Sequence, residues 1–405
     1  MTTSVAATAA ERANQRNAVL AGFLGWTLDA FDFFILVMVL SAVAKDFHVS
    51  RADIALALTA SLATRPVGAF VFGVIADRWG RRVPMVGVII FYSIVEVLSG
   101  LAPNYTTFLI LRLLFGIGMG GEWGVGASLV METVPVKWRG LLSGLLQEGY
   151  ALGYLLAAVM YFTVFPVYGW RVLFFIGGLP ALLSLWVMVK VQEPESWQEH
   201  KTTDWRAYGR EIASHWKLFL YLVLLMAMMN MISHGTQDMY PTYLQQQRHF
   251  SPEATATITI ISMVGAILGG LIFGLFSDRG GRRKAMVTAV VCALVLVPLW
   301  VFAPGTPLIV LGAFLMQFMV QGAWGVIPAH INELSPGSLR AFFPGFAYQL
   351  GVLIASSITY LEALLAEHLT YAQSMGLLAS LVLIVGMFVI GLGPEAKGVS
   401  FRKAH

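Results

Sequence analysis

The sequence predicts an all-α polytopic membrane protein, with twelve spanning helices arranged as two six-helix bundles. Three observations lead there. The 405 residues are 58% hydrophobic and only 12% charged, whereas an ordinary soluble domain is about a quarter charged. Apolar stretches of roughly 20 residues, the length an α-helix needs to cross a bilayer core, recur along the whole chain. The second half also repeats the first: "FGVIADRWGRR", from Phe72, returns as "FGLFSDRGGRR" from Phe273, an offset of 201 residues.

In order, the apolar runs place helices 1 to 6 at 18–44, 52–76, 84–102, 105–134, 139–165 and 169–190. Helices 7 to 12 follow at 216–243, 252–277, 284–302, 306–334, 338–366 and 370–392. Helix 1 follows the polar segment "MTTSVAATAAERANQRN", which has no apolar core. No cleaved signal peptide is therefore expected, and helix 1 is expected to act as the signal anchor. The D-R-x-G-R-R turn joins helices 2 and 3, and its copy joins helices 8 and 9. Helix 4 carries Gly116, Gly120 and Gly124, a small-residue stripe that lets helices approach closely. Tyr105 and Trp170 stand near helix ends as interfacial anchors. The charged, apolar-poor stretch 192–215 is the expected linker between bundles at 1–191 and 216–405. The offset of 201 also pairs Trp123-Gly124-Val125 with Trp324-Gly325-Val326, Glu132 with Glu333, Pro135 with Pro336, and Arg139 with Arg340.

A net charge of +4 raises nucleic acid as a partner, but its distribution excludes that reading. Of 26 Lys and Arg, 20 fall on loops and tails of one end, among them Arg78, Arg81, Arg82, Lys137, Arg139, Arg279, Arg282, Arg283, Lys284, Lys397 and Arg402. Lys45, Arg51, Arg171 and Arg248 fall at the other. Positive loops stay cytoplasmic, so both termini are expected inside, with the chain in a bacterial inner membrane. The single Cys292 leaves no intrachain disulfide, and no metal or cofactor is expected.

Ionisable residues inside spanning helices are costly, which makes each a functional candidate. They are Asp29 and Asp32 (helix 1), Arg65 (helix 2), Glu96 (helix 3), Arg112 and Glu122 (helix 4), Glu148 (helix 5), His234 and Asp238 (helix 7) and Glu362 (helix 11). A buried pair holding helices together is the plain alternative for each. The repeat places Asn230, Ser233, Ala266, Ala313 and Ala323 opposite Asp29, Asp32, Arg65, Arg112 and Glu122. The loop charges are thus symmetric and the intramembrane charges are not, as expected if a scaffold was duplicated and its site then specialised. In "NMISHGTQDMYPTY", Asn230, Ser233, His234, Gln237 and Asp238 fall on one helical stripe about 140° wide. Such a stripe is expected to face protein or water. His234 and Asp238, four residues apart, can meet and hold or release a proton. Pro241 is expected to loosen the helix just beyond.

Two parallel six-helix halves with a D-R-x-G-R-R turn in each resemble the major facilitator transporters. N-x-x-S-H-x-T-Q-D-x-x-x-T, Asn230 to Thr242, resembles the seventh-helix motif of the lactate/pyruvate:proton symporters of the fungal lactate permease group. "GWTLDAFDFF" at Gly25–Phe34 and "YQLG" at Tyr348–Gly351 resemble helices 1 and 11 of the wider sialate:proton symporter family. Val352 stands where that family commonly has Asn, a departure that bears on selectivity. The resemblance implies that Asn230, His234, Gln237, Asp238 and Gln349 handle substrate or proton. It also implies that Asp77, Arg78, Arg81, Arg82, Asp278, Arg279, Arg282 and Arg283 latch a two-state motion. In such a latch the Asp caps and pairs, and the arginines meet carbonyls at neighbouring helix C-termini. Glu132 with Arg139, and Glu333 with Arg340, are expected as matching ion pairs.

A carboxylate substrate needs a cation, and guanidinium binds it with two parallel hydrogen bonds. Arg65, near mid-depth on a cavity helix, is the first candidate. Arg112 is the second, or else pairs an acid such as Asp29. Gln147 and Tyr348 add polar atoms at the same depth, and Trp123 and Trp324 are gates or packing. Asp238, His234, Asp29, Asp32 and Glu122 are the proton-coupling candidates. The expected function is proton-coupled symport of a small monocarboxylate such as lactate or pyruvate, carried out by a monomer in the lipid bilayer. The alternatives are a sialate or aromatic-acid symporter, or a membrane sensor on a transporter scaffold. An ATP-driven pump is disfavoured, because no G-x-x-x-x-G-K-[ST] occurs. An enzyme is disfavoured because no nucleophile stands out beside His234.

Overall fold

The structure, a computed structural model, describes residues 8–201 and 204–401. Arg402, counted above among the basic-end charges, and the segment before Thr8 lie outside them, as does the side chain of Arg51. Among the described residues, twelve helices are long and apolar enough to cross a membrane. They are Ala9–Asp46, Asp53–Trp79, Arg82–Gly100, Tyr105–Thr133, Val136–Thr163 and Trp170–Lys190, then Trp216–Gln246, Pro252–Gly280, Arg282–Phe302, Thr306–Leu334, Phe342–Leu365 and Tyr371–Leu392. Numbered 1 to 12, they match the expected order. Helix 1 begins earlier than expected because its polar first turn is held by a capping box between Thr8 and Glu11.

Several of these helices are interrupted. Helix 5 breaks at Glu148, between Arg139–Gln147 and Gly149–Thr163. Helix 11 breaks at Ser356, between Phe342–Ala355 and Ser357–Leu365. Helix 7 ends its first piece at Gln237 and restarts at Tyr240. Pro241, in the first turn of that second piece, has no amide hydrogen to give and crowds the residues before it, so the loosening falls at Asp238 and Met239. Breaks in cavity helices free backbone groups and side chains for a site.

The stretch expected to be a simple linker carries two short helices, Glu195–His200 and Trp205–Ser214, which fold against the basic end. Between the halves, helix 5 packs on helices 8 and 10, and helix 11 packs on helices 2 and 4. These two sets are equivalent under the repeat, so the interface has the pseudo-symmetry of the sequence.

Candidate functional site

The basic end is closed, and the repeated turns close it. The Asp77 carboxylate accepts from the backbone amides of Ala341 at 2.9 Å and Phe342 at 3.1 Å, at the start of helix 11. Asp278, its equivalent, accepts from Gly140 at 2.7 Å and Leu141 at 3.0 Å, at the start of helix 5. Each half thus places a carboxylate on the exposed amides of a helix N-terminus of the other, where negative charge is favoured. Arg81 bridges Asp77 and Glu132, both at 2.7 Å; Arg282 bridges Asp278 at 2.8 Å and Glu333 at 2.9 Å. Burial opposes the charge on Arg81, but Glu132 and Asp77 outweigh it and hold the guanidinium above its usual range. Arg82 reaches the Val191 carbonyl at 3.3 Å and Arg283 the Gly393 carbonyl at 2.9 Å, at the ends of helices 6 and 12. The turns themselves need Gly80 and Gly281, whose φ of 106° and 104° suits glycine alone.

The matching pairs expected within each half are instead exchanged between halves. Arg139 meets Glu333 at 3.0 Å, and Arg340 approaches Glu132 at 3.8 Å. Helices 5 and 11 begin against the opposite bundle, so the arginine at each start faces the other half's glutamate. Burial pushes Arg340 down to about 10 while Glu132 opposes, which leaves it charged at neutral pH. Phe401 lies against both guanidiniums, at 3.7 Å from Arg139 and 3.8 Å from Arg340. Arg78 stacks on Trp205 at 3.7 Å, the Tyr208 hydroxyl donates to Asp77 at 3.2 Å, and Lys397 donates to the Arg279 carbonyl.

At mid-depth the halves meet over an aromatic floor. Tyr348 sits among Trp123, Trp324 and Trp26, with ring centroids 4.5, 5.9 and 6.4 Å away. Trp123 and Trp324 are equivalent in the repeat, so one tyrosine is clasped by both halves. Trp123 donates to Gln147 at 3.3 Å; Trp324 donates to the Met229 carbonyl at 3.0 Å. Arg65 is 5% exposed and its charge acts on the Tyr348 hydroxyl. Its Nε and Nη2 have no partner among the described residues. Gln349, next to Tyr348, is buried with both amide atoms unpartnered among those residues.

Across from this floor, the helix-7 stripe divides. Ser233 accepts from Gln321 at 3.1 Å and Gln237 donates to Gln317 at 2.7 Å, so both are tied to helix 10. Asn230 turns back to the Met226 carbonyl at 2.8 Å. His234 and Asp238 meet at 3.2 Å with side chains 43% and 36% exposed, so this pair faces open space on the side away from the basic end. Thr359 of helix 11 donates to Asp238 at 2.8 Å. Sequence reasoning missed it, because a lone threonine in an apolar helix carries no signal until its neighbour is known.

Asp29, Asp32 and Glu122 are fully buried, with no hydrogen-bond partner for either carboxyl oxygen among the described residues. Arg112 does not pair with Asp29. It meets Glu96 at 2.7 Å and the Ser99 hydroxyl, with its guanidinium 4.5 Å from the centroid of Phe115 and 5.2 Å from that of Phe174. This arginine is consumed in a pair between helices 3 and 4, because Glu96 occupies the facing position at its depth. Glu96→Gln should strand the Arg112 charge, at a cost of about 3–5 kcal/mol, read as a lower melting temperature in detergent. Glu96→Gln combined with Arg112→Met should recover most of the loss.

Known proteins share this architecture. The family model of the Major Facilitator Superfamily matches residues 22–355 and 223–404. The carboxylic acid transporter protein homolog of Saccharomyces cerevisiae is 30% identical over 94% of this chain and 68% of its own length. The sialic acid transporter NanX of Escherichia coli is 28% identical over 93% of this chain and 95% of its own. Among solved structures, the proton:xylose symporter XylE superposes with a TM-score of 0.78 at 18% identity, covering 96% of this chain and 98% of its own. The human organic anion transporter MFSD10 gives 0.71 at 17%, covering 93% and 99%. With twelve spans in two bundles, a turn repeated in each and a family match along nearly its whole length, the chain is an integral membrane protein of the Major Facilitator Superfamily of transporters.

Proposed function

We propose that this protein is a proton-coupled symporter of a small monocarboxylate of the lactate or pyruvate kind. The observation that carries the reading is Arg65, a buried guanidinium with spare donors on the aromatic floor. The His234–Asp238 pair opens onto the same side of the closed gate. A guanidinium is the natural partner of a carboxylate, and a His–Asp pair has the groups to accept a proton and pass it on. The carboxylic acid transporter homolog among the relatives supports the substrate class. With the basic end in the cytoplasm, the closed gate faces inward and the His234–Asp238 pair faces outward. Asp29, Asp32 and Glu122 stand as the second group of proton sites. A larger planar acid is the competing substrate, favoured by the floor of Trp26, Trp123 and Tyr348 and by a relative described as a cis,cis-muconate transport protein.

A monocarboxylate and one proton cross together with no net charge. Membrane voltage, worth about 2.3 kcal/mol per charge per 100 mV, then does no work, and the pH gradient supplies about 1.4 kcal/mol per unit. Proteoliposomes with an acid exterior should accumulate labelled lactate, and a valinomycin potential alone should not. Strong voltage-driven uptake at equal pH would exclude one-to-one coupling. Muconate or benzoate taken up in preference to lactate would move the substrate class. Asp238→Asn should lose accumulation yet keep exchange; full accumulation in both Asp238→Asn and His234→Gln would place the proton elsewhere, with Asp29, Asp32 and Glu122 next.

A further inference from the structure

The outer piece of helix 11 carries one more acid, Glu362. The first half has no counterpart, since the repeat places Tyr161 there. Glu362 is 0% exposed, and neither carboxyl oxygen has a hydrogen-bond partner among the described residues. Its side chain is aimed at helix 7: a Cβ on Gly235 would lie 3.5 Å from Glu362 Oε1. One turn before Glu362, Thr359 donates to Asp238; one turn after Gly235 stands Asp238 itself. The two carboxyls therefore share one seam between helices 7 and 11. Asp238 is on its open side and Glu362 on its dry side.

The charged groups around Glu362 are few. Helix 7 presents His234 and Asp238 on this side, and Asp238 acts on Glu362 electrostatically. Helix 12, Tyr371–Leu392, has no charged residue; its nearest polar group is Ser374, whose hydroxyl donates to the Glu362 backbone carbonyl at 2.6 Å. Beyond the helix, Glu367 and His368 are exposed. Among the described residues no Lys or Arg forms an ion pair with Glu362. A buried carboxylate without cation or donor is expensive to ionise, and two carboxylates on one seam resist ionising together.

We infer that Glu362 is a second protonatable group of the transport cycle, holding a proton behind Asp238 and exchanging it with Asp238 across the helix 7–helix 11 seam. The step is a bare proton transfer. The O–H bond of protonated Glu362 breaks, one forms on the Asp238 carboxylate, and total charge is unchanged. A proton on Asp238 alone would be lost to the open cavity; one stored on the dry side stays with the carrier until substrate arrives. The inference rests on the symport reading above.

Two measurements test it. Glu362→Gln should keep lactate exchange within about twofold of wild type but lose about tenfold of pH-driven accumulation. Unchanged accumulation would overturn the inference. The second measurement uses the whole protein in detergent and needs no substrate. Dicyclohexylcarbodiimide adds to protonated carboxyls in apolar surroundings, and peptide mass spectrometry locates the adduct. The Glu362 adduct should decline in wild type as the pH is raised and Glu362 gives up its proton. In Asp238→Asn no neighbouring carboxylate opposes ionisation of Glu362, so the adduct should be lost at lower pH than in wild type. No adduct, or the same pH dependence in both proteins, would overturn the inference even if Glu362→Gln did not fold. Failure of lactate exchange in wild type would sink the substrate reading and leave the adduct result standing.

Discussion

Arg65→Lys is expected to weaken monocarboxylate binding by about tenfold, and Arg65→Ala by about a hundredfold. The reason is geometric. Nε and Nη2 of Arg65 are buried without a partner among the described residues, and an Nε–Nη edge is the fork that receives both oxygens of a carboxylate. Lysine keeps the charge and loses the fork, so it should retain part of the affinity. Alanine loses both. Alanine also removes the cation that acts on Asp29 and Glu122, so that variant carries a risk to folding that the lysine variant does not. Calorimetric titration of purified protein with lactate checks both. Near wild-type affinity in Arg65→Lys and Arg65→Ala would remove Arg65 from the site. Arg112 would not inherit the role, because its guanidinium is already held by Glu96.

Much of this molecule is legible in its sequence because the bilayer allows few answers. A backbone that cannot leave amides unpaired in lipid must be helical, so apolar run lengths give the twelve spans. The offset of 201 gives the two bundles. The kind of contact made by each D-R-x-G-R-R turn was also readable, since an Asp followed by arginines suits helix caps and carbonyls. Its partners were not. Glu132 and Arg139 are seven residues apart and look like a local pair, and only the packing of helix 5 on the opposite half sends Arg139 to Glu333. Arg65 and Arg112 are alike as intramembrane arginines. What separates them is Glu96, sixteen residues before Arg112 on the preceding helix, which a list of charges does not align in depth. The helix-7 break was signalled by Pro241. Those at Glu148 and Ser356 have no proline within two residues, and packing alone places them.

Opening of the basic end should be promoted by Asp77→Asn and, less strongly, by Asp278→Asn. Each aspartate caps a helix start in the opposite half, and those bonds must break before that end can open. Asparagine keeps one acceptor oxygen but loses the charge that faces the helix N-terminus and the guanidinium of Arg81 or Arg282. Charge-assisted hydrogen bonds contribute about 1.5–3 kcal/mol, so a loss of about 1–2 kcal/mol is reasonable, a shift of about 5- to 30-fold in the ratio of open to closed forms. The asymmetry between the two follows from the linker. Tyr208 donates to the Asp77 carboxylate and Trp197 to its carbonyl, whereas among the described residues Asp278 receives no bond from the linker. Asp77→Asn therefore also loosens the linker helices that cover the gate. Ser143 offers a reporter, because it is buried and its hydroxyl accepts from the Ala329 amide across the halves at 3.0 Å. With Cys292→Ala to remove the native thiol, Ser143→Cys should react slowly with a membrane-impermeant maleimide in the wild-type gate and several-fold faster in Asp278→Asn. It should react faster again in Asp77→Asn. Equal labelling in all three proteins would mean that these carboxylates do not hold the gate and that the exchanged pairs of Arg139 and Arg340 carry it alone.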